Sequence, residues 1–194
     1  MRKNIIIIFT ALSLLSVSCK LQISDKTNQT KVTVINAPED IRLRALDFAK
    51  LYSYRNTEYG WGEQEHLRTA VKEIPINEVP IKIDCSGLII MCYKFALVDT
   101  KYSLLLNDMS SSYIYENACT HTKKPKPGDL IFMGNNNINH IGIFVKEENN
   151  EIYFIDSTQK DSEGSYPAVN GVTERHYPKT DSRIKGFGIM KLKY

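Results

Sequence analysis

Cys85 lies between Asp84 and Ser86, just ahead of an apolar run, Leu88-Ile89-Ile90-Met91-Cys92-Tyr93. If that run is a helix, the thiol sits in its first turn. There the unpaired amides and the positive end of the helix dipole favour thiolate over thiol. Asp84 is suited to cap such a helix, and Gly87 would let another group approach the backbone closely. A buried structural cysteine fits the same position, so the thiol alone does not decide the matter.

A thiolate nucleophile needs a base, and the sequence offers His66, His121, His140 and His176. The first two lie in polar, charged surroundings. His176, within Arg175-His176-Tyr177-Pro178, reads as loop. His140 opens a β-rich run, His140-Ile141-Gly142-Ile143-Phe144, after an asparagine-rich turn. A strand start projects its side chain from a rigid element toward a cleft. The third requirement is an orienting group. Asp156 ends the apolar stretch Ile152-Tyr153-Phe154-Ile155, where a carboxylate is costly to bury unless paired. If the two runs form a hairpin, Asp156 fixes the tautomer of His140 and leaves the other ring nitrogen for Cys85. A structural histidine and a strand-capping aspartate are the bland alternatives.

The elements that must position these groups follow from periodicity. Pro38, Glu39 and Asp40 suit a first helical turn. Ile41, Ala45, Leu46, Ala49 and Leu51 then fall near one face, and Gly60 and Gly62 end the run. Residues 63–83 read as a loop marked by Pro75 and Pro80. The run from Asp84 to Leu97 is apolar nearly all round and predicts a buried helix. A short helix is expected from Ser110 to Ala118. After the turn cluster Pro125, Pro127 and Gly128 come three short strands: Asp129 to Met133, His140 to Val145 and Ile152 to Ser157. Residues 159–182 read as loop, and Lys185 to Leu192 as a final strand. Helices first and strands second argue an α+β domain with an antiparallel sheet packed on helices.

The first residues read as a targeting segment. Arg2 and Lys3 precede an apolar run from Ile5 to Leu15, too short for a bilayer, which needs about 20 residues. Small residues and Cys19 follow. The expected division is a signal peptide over 1–18, a tether over 19–36 with a short strand at Lys31 to Ile35, and one domain over 37–194. The formal net charge of +3 falls to +1 without Arg2 and Lys3. That near-neutral balance, with scattered basic residues, gives no support for nucleic-acid binding. No Cys/His set has zinc spacing, so no metal is expected. Cys92 and Cys119 could pair, or be buried and inert; burial is favoured because Cys92 lies in an apolar run.

Two resemblances emerge from these residues. Ser16-Val17-Ser18-Cys19 resembles the lipobox of bacterial lipoproteins, although Ser16 stands where leucine is usual. This implies lipidation of Cys19 and a membrane tether facing the periplasm, with simple secretion as the alternative. Asp84-Cys85-Ser86-Gly87-Leu88, Pro127-Gly128-Asp129-Leu130-Ile131-Phe132 and His140-Ile141-Gly142-Ile143-Phe144 resemble the NlpC family of bacterial cell-wall cysteine peptidases. Tyr59-Gly60-Trp61-Gly62 resembles that family's upstream signature. The resemblance runs over roughly residues 40–192. It implies a papain-like domain with the nucleophile at the N-terminus of a buried helix.

The resemblance also implies roles. Cys85 would be nucleophile, His140 base and Asp156 the third residue. Tyr59 would help the Cys85 amide hold the oxyanion, while Asp84, Ser86 and Trp61 would bind substrate. The implied substrate is the peptidoglycan stem peptide, cut between D-γ-glutamate and a diamino acid, with no cofactor. Glu63 stands where a second glycine is common, and the longer stretch from Glu63 to Lys82 predicts a loop overhanging the cleft. Two other functions remain open: an amidase or acyltransferase of the same fold acting on another acyl substrate, and a catalytically silent lipoprotein that binds cell wall.

Overall fold

The computed structural model describes residues 32–62, 80–164 and 166–194. Among these, helix α1 (Glu39–Ser53) starts after Pro38, with Glu39 and Asp40 in its first turn as the dipole favours. Ile41, Ala45, Leu46 and Ala49 are buried as their spacing predicts, but Leu51 is half exposed. The helix ends at Ser53, earlier than Gly60. The chain then turns into a short strand, β2 (Thr57–Tyr59), which pairs in parallel with β3 (Ile81–Ile83). The expected 63–82 loop lies outside the described residues up to residue 79, and its last residues belong to β3 rather than to a loop.

Helix α2 (Cys85–Ala96) is buried on nearly every face: Leu88, Ile89, Ile90, Met91, Cys92 and Tyr93 all lie in the core. It packs on α1, and the two helices lie against β7 (His140–Glu148), β8 (Glu151–Lys160) and, through α1, β9 (Val169–Pro178). The expected Ser110–Ala118 helix is a single turn, α3 (Ser111–Tyr113), widened into a π-helical segment over Ile114–Ala118.

The main sheet is antiparallel and has the order β1-β10-β6-β7-β8-β9, where β1 is Val34–Asn36, β6 is Leu130–Met133 and β10 is Ile184–Lys193. Two further short strands, β4 (Ser103–Leu104) and β5 (Cys119–Thr122), also pair with β10. The short strand expected near Lys31 to Ile35 is thus present as β1. Three residues from the segment read as tether form part of the sheet.

Both faces of the sheet are apolar. One closes the core shared with the helices, and the other buries Ile131, Met133, Phe144, Ile152, Phe154 and Tyr177 in a second cluster. This explains why β6 reads as a continuous apolar run rather than an alternating one. Asn149 and Asn150, at φ 52° and 66°, make the tight β7–β8 turn.

The Pro127-Gly128-Asp129 turn locks the sheet to α1. Gly128 has φ +88°, and a Cβ there would lie 2.4 Å from the Arg42 carbonyl oxygen. The Asp129 carboxylate, almost wholly buried, accepts from Arg42 Nη1 and, at 2.8 Å, from the Lys126 amide. Tyr93 Oη donates to the Gly128 carbonyl, so α2 is fastened to the same turn.

Candidate active site

Cys85 is the first residue of α2, and its amide therefore has no intrahelical acceptor. Asp84 caps the helix: its Oδ1 accepts from the Gly87 amide at 2.6 Å and from Ser86 Oγ at 3.0 Å. Its Oδ2 accepts from the Gly62 amide at 3.0 Å, which pins the Tyr59–Gly62 segment beside the thiol. Cys85 is 6 % exposed and lines a groove of about 390 Å³. Tyr59, Trp61, Asp84, Ser86, Asp108 and Asn139 are among its lining residues. Trp61 stands 85 % exposed at the rim.

His140, the first residue of β7, lies on one side close enough to Cys85 for the two to interact electrostatically. On the other side Nε2 donates to Asp156 Oδ2 at 2.5 Å. Asp156 is on β8, and Gly142 makes room for it. A Cβ at Gly142 would lie 2.9 Å from the Ile155 carbonyl oxygen and 3.2 Å from Asp156 Cβ. The hairpin pairing expected from the sequence brings the two side chains together, and the helix brings the thiol.

Burial pulls the His140 pKa down, but the hydrogen bond to Asp156 and the proximity of Cys85 outweigh it and raise the value to about 9. Burial likewise opposes ionisation of Asp156, whose side chain is 0 % exposed. His140 and Arg175 overcome this and hold the carboxyl below its usual range. Tyr59 is pushed up to about 12, first by burial and then by the nearby Cys85 and Asp84. Its hydroxyl therefore stays protonated and able to donate.

Arg175 is the residue that the sequence reading missed. It lies on β9, in a segment expected to be loop, and reaches diagonally across to β8. Nε donates to Asp156 Oδ1 at 3.0 Å and Nη2 to Oδ2, a two-point grip on the carboxylate. Nη1 donates to Tyr177 Oη at 2.8 Å. The sequence carried little signal for it, because Val172 is followed by four consecutive polar residues, Thr173-Glu174-Arg175-His176.

The remaining candidates separate from the site. His66 lies outside the described residues. His121 is exposed and contacts the Tyr115 carbonyl, and His176, on β9 rather than in a loop, pairs with Glu151. Cys92 and Cys119 are free, buried thiols, not a disulfide. Burial raises the Cys92 pKa, and raises that of Cys119 to about 11. Cys19 lies outside the described residues. No helix among the described residues is long and apolar enough to cross a membrane.

A thiol at a helix start, facing an imidazole carried by an antiparallel sheet, defines an α+β domain of the papain-like kind. The NlpC/P60 family profile matches residues 56–178, more than half of the chain, and the chain belongs to that family. Solved structures that the chain matches include RipD from Mycobacterium tuberculosis, described as a non-catalytic NlpC/p60 domain protein adapted to peptidoglycan binding. It is 14 % identical, with a TM-score of 0.44 over 78 % of this chain and 98 % of that one. The P60 domain of antigen MAP1204 from M. avium subspecies paratuberculosis is 21 % identical, with a TM-score of 0.44 over 77 % and 96 %. A hypothetical invasion protein of Mycobacterium tuberculosis is 20 % identical, with a TM-score of 0.44 over 81 % and 67 %. No curated protein matches the chain.

Proposed function

We propose that the protein is a peptidoglycan endopeptidase that cuts the stem peptide between D-γ-glutamate and a diamino acid through a cysteine acyl-enzyme. The observation that carries this reading is the convergence of a helix-start thiol, Cys85, lining an open groove, with an imidazole, His140, that is hydrogen-bonded to buried Asp156 and acted on by the thiol. Membership of the NlpC/P60 family, whose members are typically cell-wall hydrolases, supports the choice of substrate.

In this mechanism the Cys85 thiolate attacks the amide carbonyl. The free amide of Cys85 and the Tyr59 hydroxyl stabilise the oxyanion, each donor contributing roughly 3 kcal/mol in comparable sites. His140, held as imidazolium, gives its proton to the departing amine. It then takes a proton from water, which attacks the thioester and releases the acyl product. Asp156 keeps Nε2 protonated, so Nδ1 faces the sulfur. Asp84, Ser86 and Trp61 form the half of the groove that receives the substrate's free amine. Export by the 1–18 segment and lipidation of Cys19 would hold the domain at the cell envelope.

Digestion of purified sacculi by the wild type and by Cys85→Ala tests the reading. New free amines on the diamino acid, released by the wild type only, are the expected result. Intact stem peptides with a different amide cut would move the reaction to an amidase. Equal behaviour of both proteins would leave a silent binder.

A further inference from the structure

The groove does not stop at the sulfur. A second recess, of about 300 Å³, shares Tyr59, Trp61 and Asn139 with the first and continues along the other side of the relay. The first recess is lined by Cys85 and by the carboxylates of Asp84 and Asp108. The second is lined by His140, Lys160, Arg175, Tyr177 and Arg183, with no carboxylate among its lining residues. The polarity of the groove thus reverses across the reacting centre.

The cations in this second recess are not equally available. Arg175 is held by Asp156, and Arg183 by Asp181 and Glu163. Lys160 has no carboxylate within ion-pair distance among the described residues; its Nζ donates to Tyr177 Oη at 3.1 Å. That same oxygen accepts from Arg175 Nη1 at 2.8 Å. With both acceptor positions taken by cations, the Tyr177 hydroxyl must use its own proton as a donor. No acceptor for it is found among the described residues, although the residue is only 3 % exposed. Two spare ammonium protons and one buried hydroxyl proton therefore converge beside His140, which suits an anion with two oxygens.

We propose that this recess is a subsite for a carboxylate on the leaving half of the substrate, with Lys160 and Tyr177 as its donors. The assignment of side rests on the function proposed above: the imidazole that protonates the departing amine must lie on the leaving side, and His140 lines this recess and not the other. The substrate class that follows is a peptide with a free amine before the scissile bond and a carboxylate on the residue after it. That carboxylate is either the α-carboxylate of the diamino acid or the distal one that diaminopimelate carries and lysine lacks.

Three peptides distinguish the sources: L-alanyl-γ-D-glutamate joined to meso-diaminopimelate, to L-lysine and to L-lysinamide. The wild type is expected to lose kcat/KM as carboxylates are removed. Lys160→Gln, a surface change on a strand end, should lose about tenfold on the preferred peptide and leave lysinamide unchanged, which flattens the series. Loss of the step from diaminopimelate to lysine assigns the distal carboxylate; loss of the step from lysine to lysinamide assigns the α-carboxylate. Unaltered ratios in Lys160→Gln would overturn the subsite. If the wild type cuts none of the three, the proposed reaction fails, and the subsite is then read separately. Free diaminopimelate titrated into Cys85→Ala should shift NMR signals of Lys160 and Tyr177, and Tyr177→Phe should abolish the effect. Absence of any shift at millimolar ligand would reject the site as well.

Discussion

In the proposed mechanism the chemistry of the site depends on the proton that His140 holds between Cys85 and Asp156. His140, raised to about 9, stays charged through neutral pH because Asp156 and Cys85 face it. Its folded value lies above the ordinary 6.5, so the stability it contributes is fully present below pH 6.5 and is lost as pH rises through about 9. Asp156→Asn should remove that pH dependence. Urea unfolding at pH 6 and pH 9.5 should show a difference between pH values in the wild type that shrinks in the variant. The same substitution offers Nε2 no carboxylate and should lower kcat by about 10²–10⁴-fold in hydrolysis assays. Arg175→Gln should raise the carboxyl pKa of Asp156, because a principal cation holding it down is gone. The acid limb of the pH–rate profile should therefore move up; an unmoved limb would show that Arg175 only stiffens β9. Among Cys85, Cys92 and Cys119, only Cys85 should be alkylated by iodoacetamide in the native protein at pH 7.5, as mapped by mass spectrometry. Burial disfavours the thiolate of the other two.

At the level of elements, two motifs that read as signatures turn out to have different duties. His140-Ile141-Gly142 belongs to the relay, since Gly142 vacates the volume that Asp156 occupies. Gly142→Ala should displace Asp156 and reduce activity while the sheet persists, a combination visible as lowered kcat with unchanged far-ultraviolet circular dichroism. Pro127-Gly128-Asp129 touches no part of the relay; it joins β6 to α1 through the buried Arg42–Asp129 pair. Gly128→Ala would adopt a left-handed conformation at roughly 1–2 kcal/mol and also overlap the Arg42 backbone. Its melting temperature should fall, whereas the activity of the folded fraction should not. The sequence made α2, β6, β7 and the Cys85–His140–Asp156 line legible, because continuous apolar runs and a capped helix start leave few alternatives. It hid β9 because that strand borders the sheet and runs through four consecutive polar residues, Thr173 to His176, a composition that resembles loop. It hid β2 and β3 because each has three residues, too few for a period to register. The end of α1 was misjudged for a related reason: Leu51 continues the apolar pattern yet faces outward at the last turn.

For the molecule as a whole, the groove is a divided surface. Its two halves carry opposite charge and share Asn139 and an aromatic rim of Tyr59 and Trp61. Recognition of a short zwitterionic peptide in such a groove would weaken with salt, since exposed charges about 10 Å apart are screened at ~0.1 M ionic strength. KM for the diaminopimelate peptide should therefore rise between 20 mM and 300 mM sodium chloride while kcat changes little. A salt-independent KM would argue that shape and not charge selects the substrate.

The strand β10 is hydrogen-bonded to β1, β4, β5 and β6, so strands gathered from four earlier stretches of the chain converge on the last one. Any machinery that handles the polypeptide from its first residue to its last, whether a ribosome or a secretion channel, must therefore carry it with the sheet unfinished. Until residues 184–193 emerge, β6 presents a bare edge and the first strand has nothing to zip onto. Completion is a late, chain-wide event, and the window before it is when the protein is most open to aggregation and to proteases.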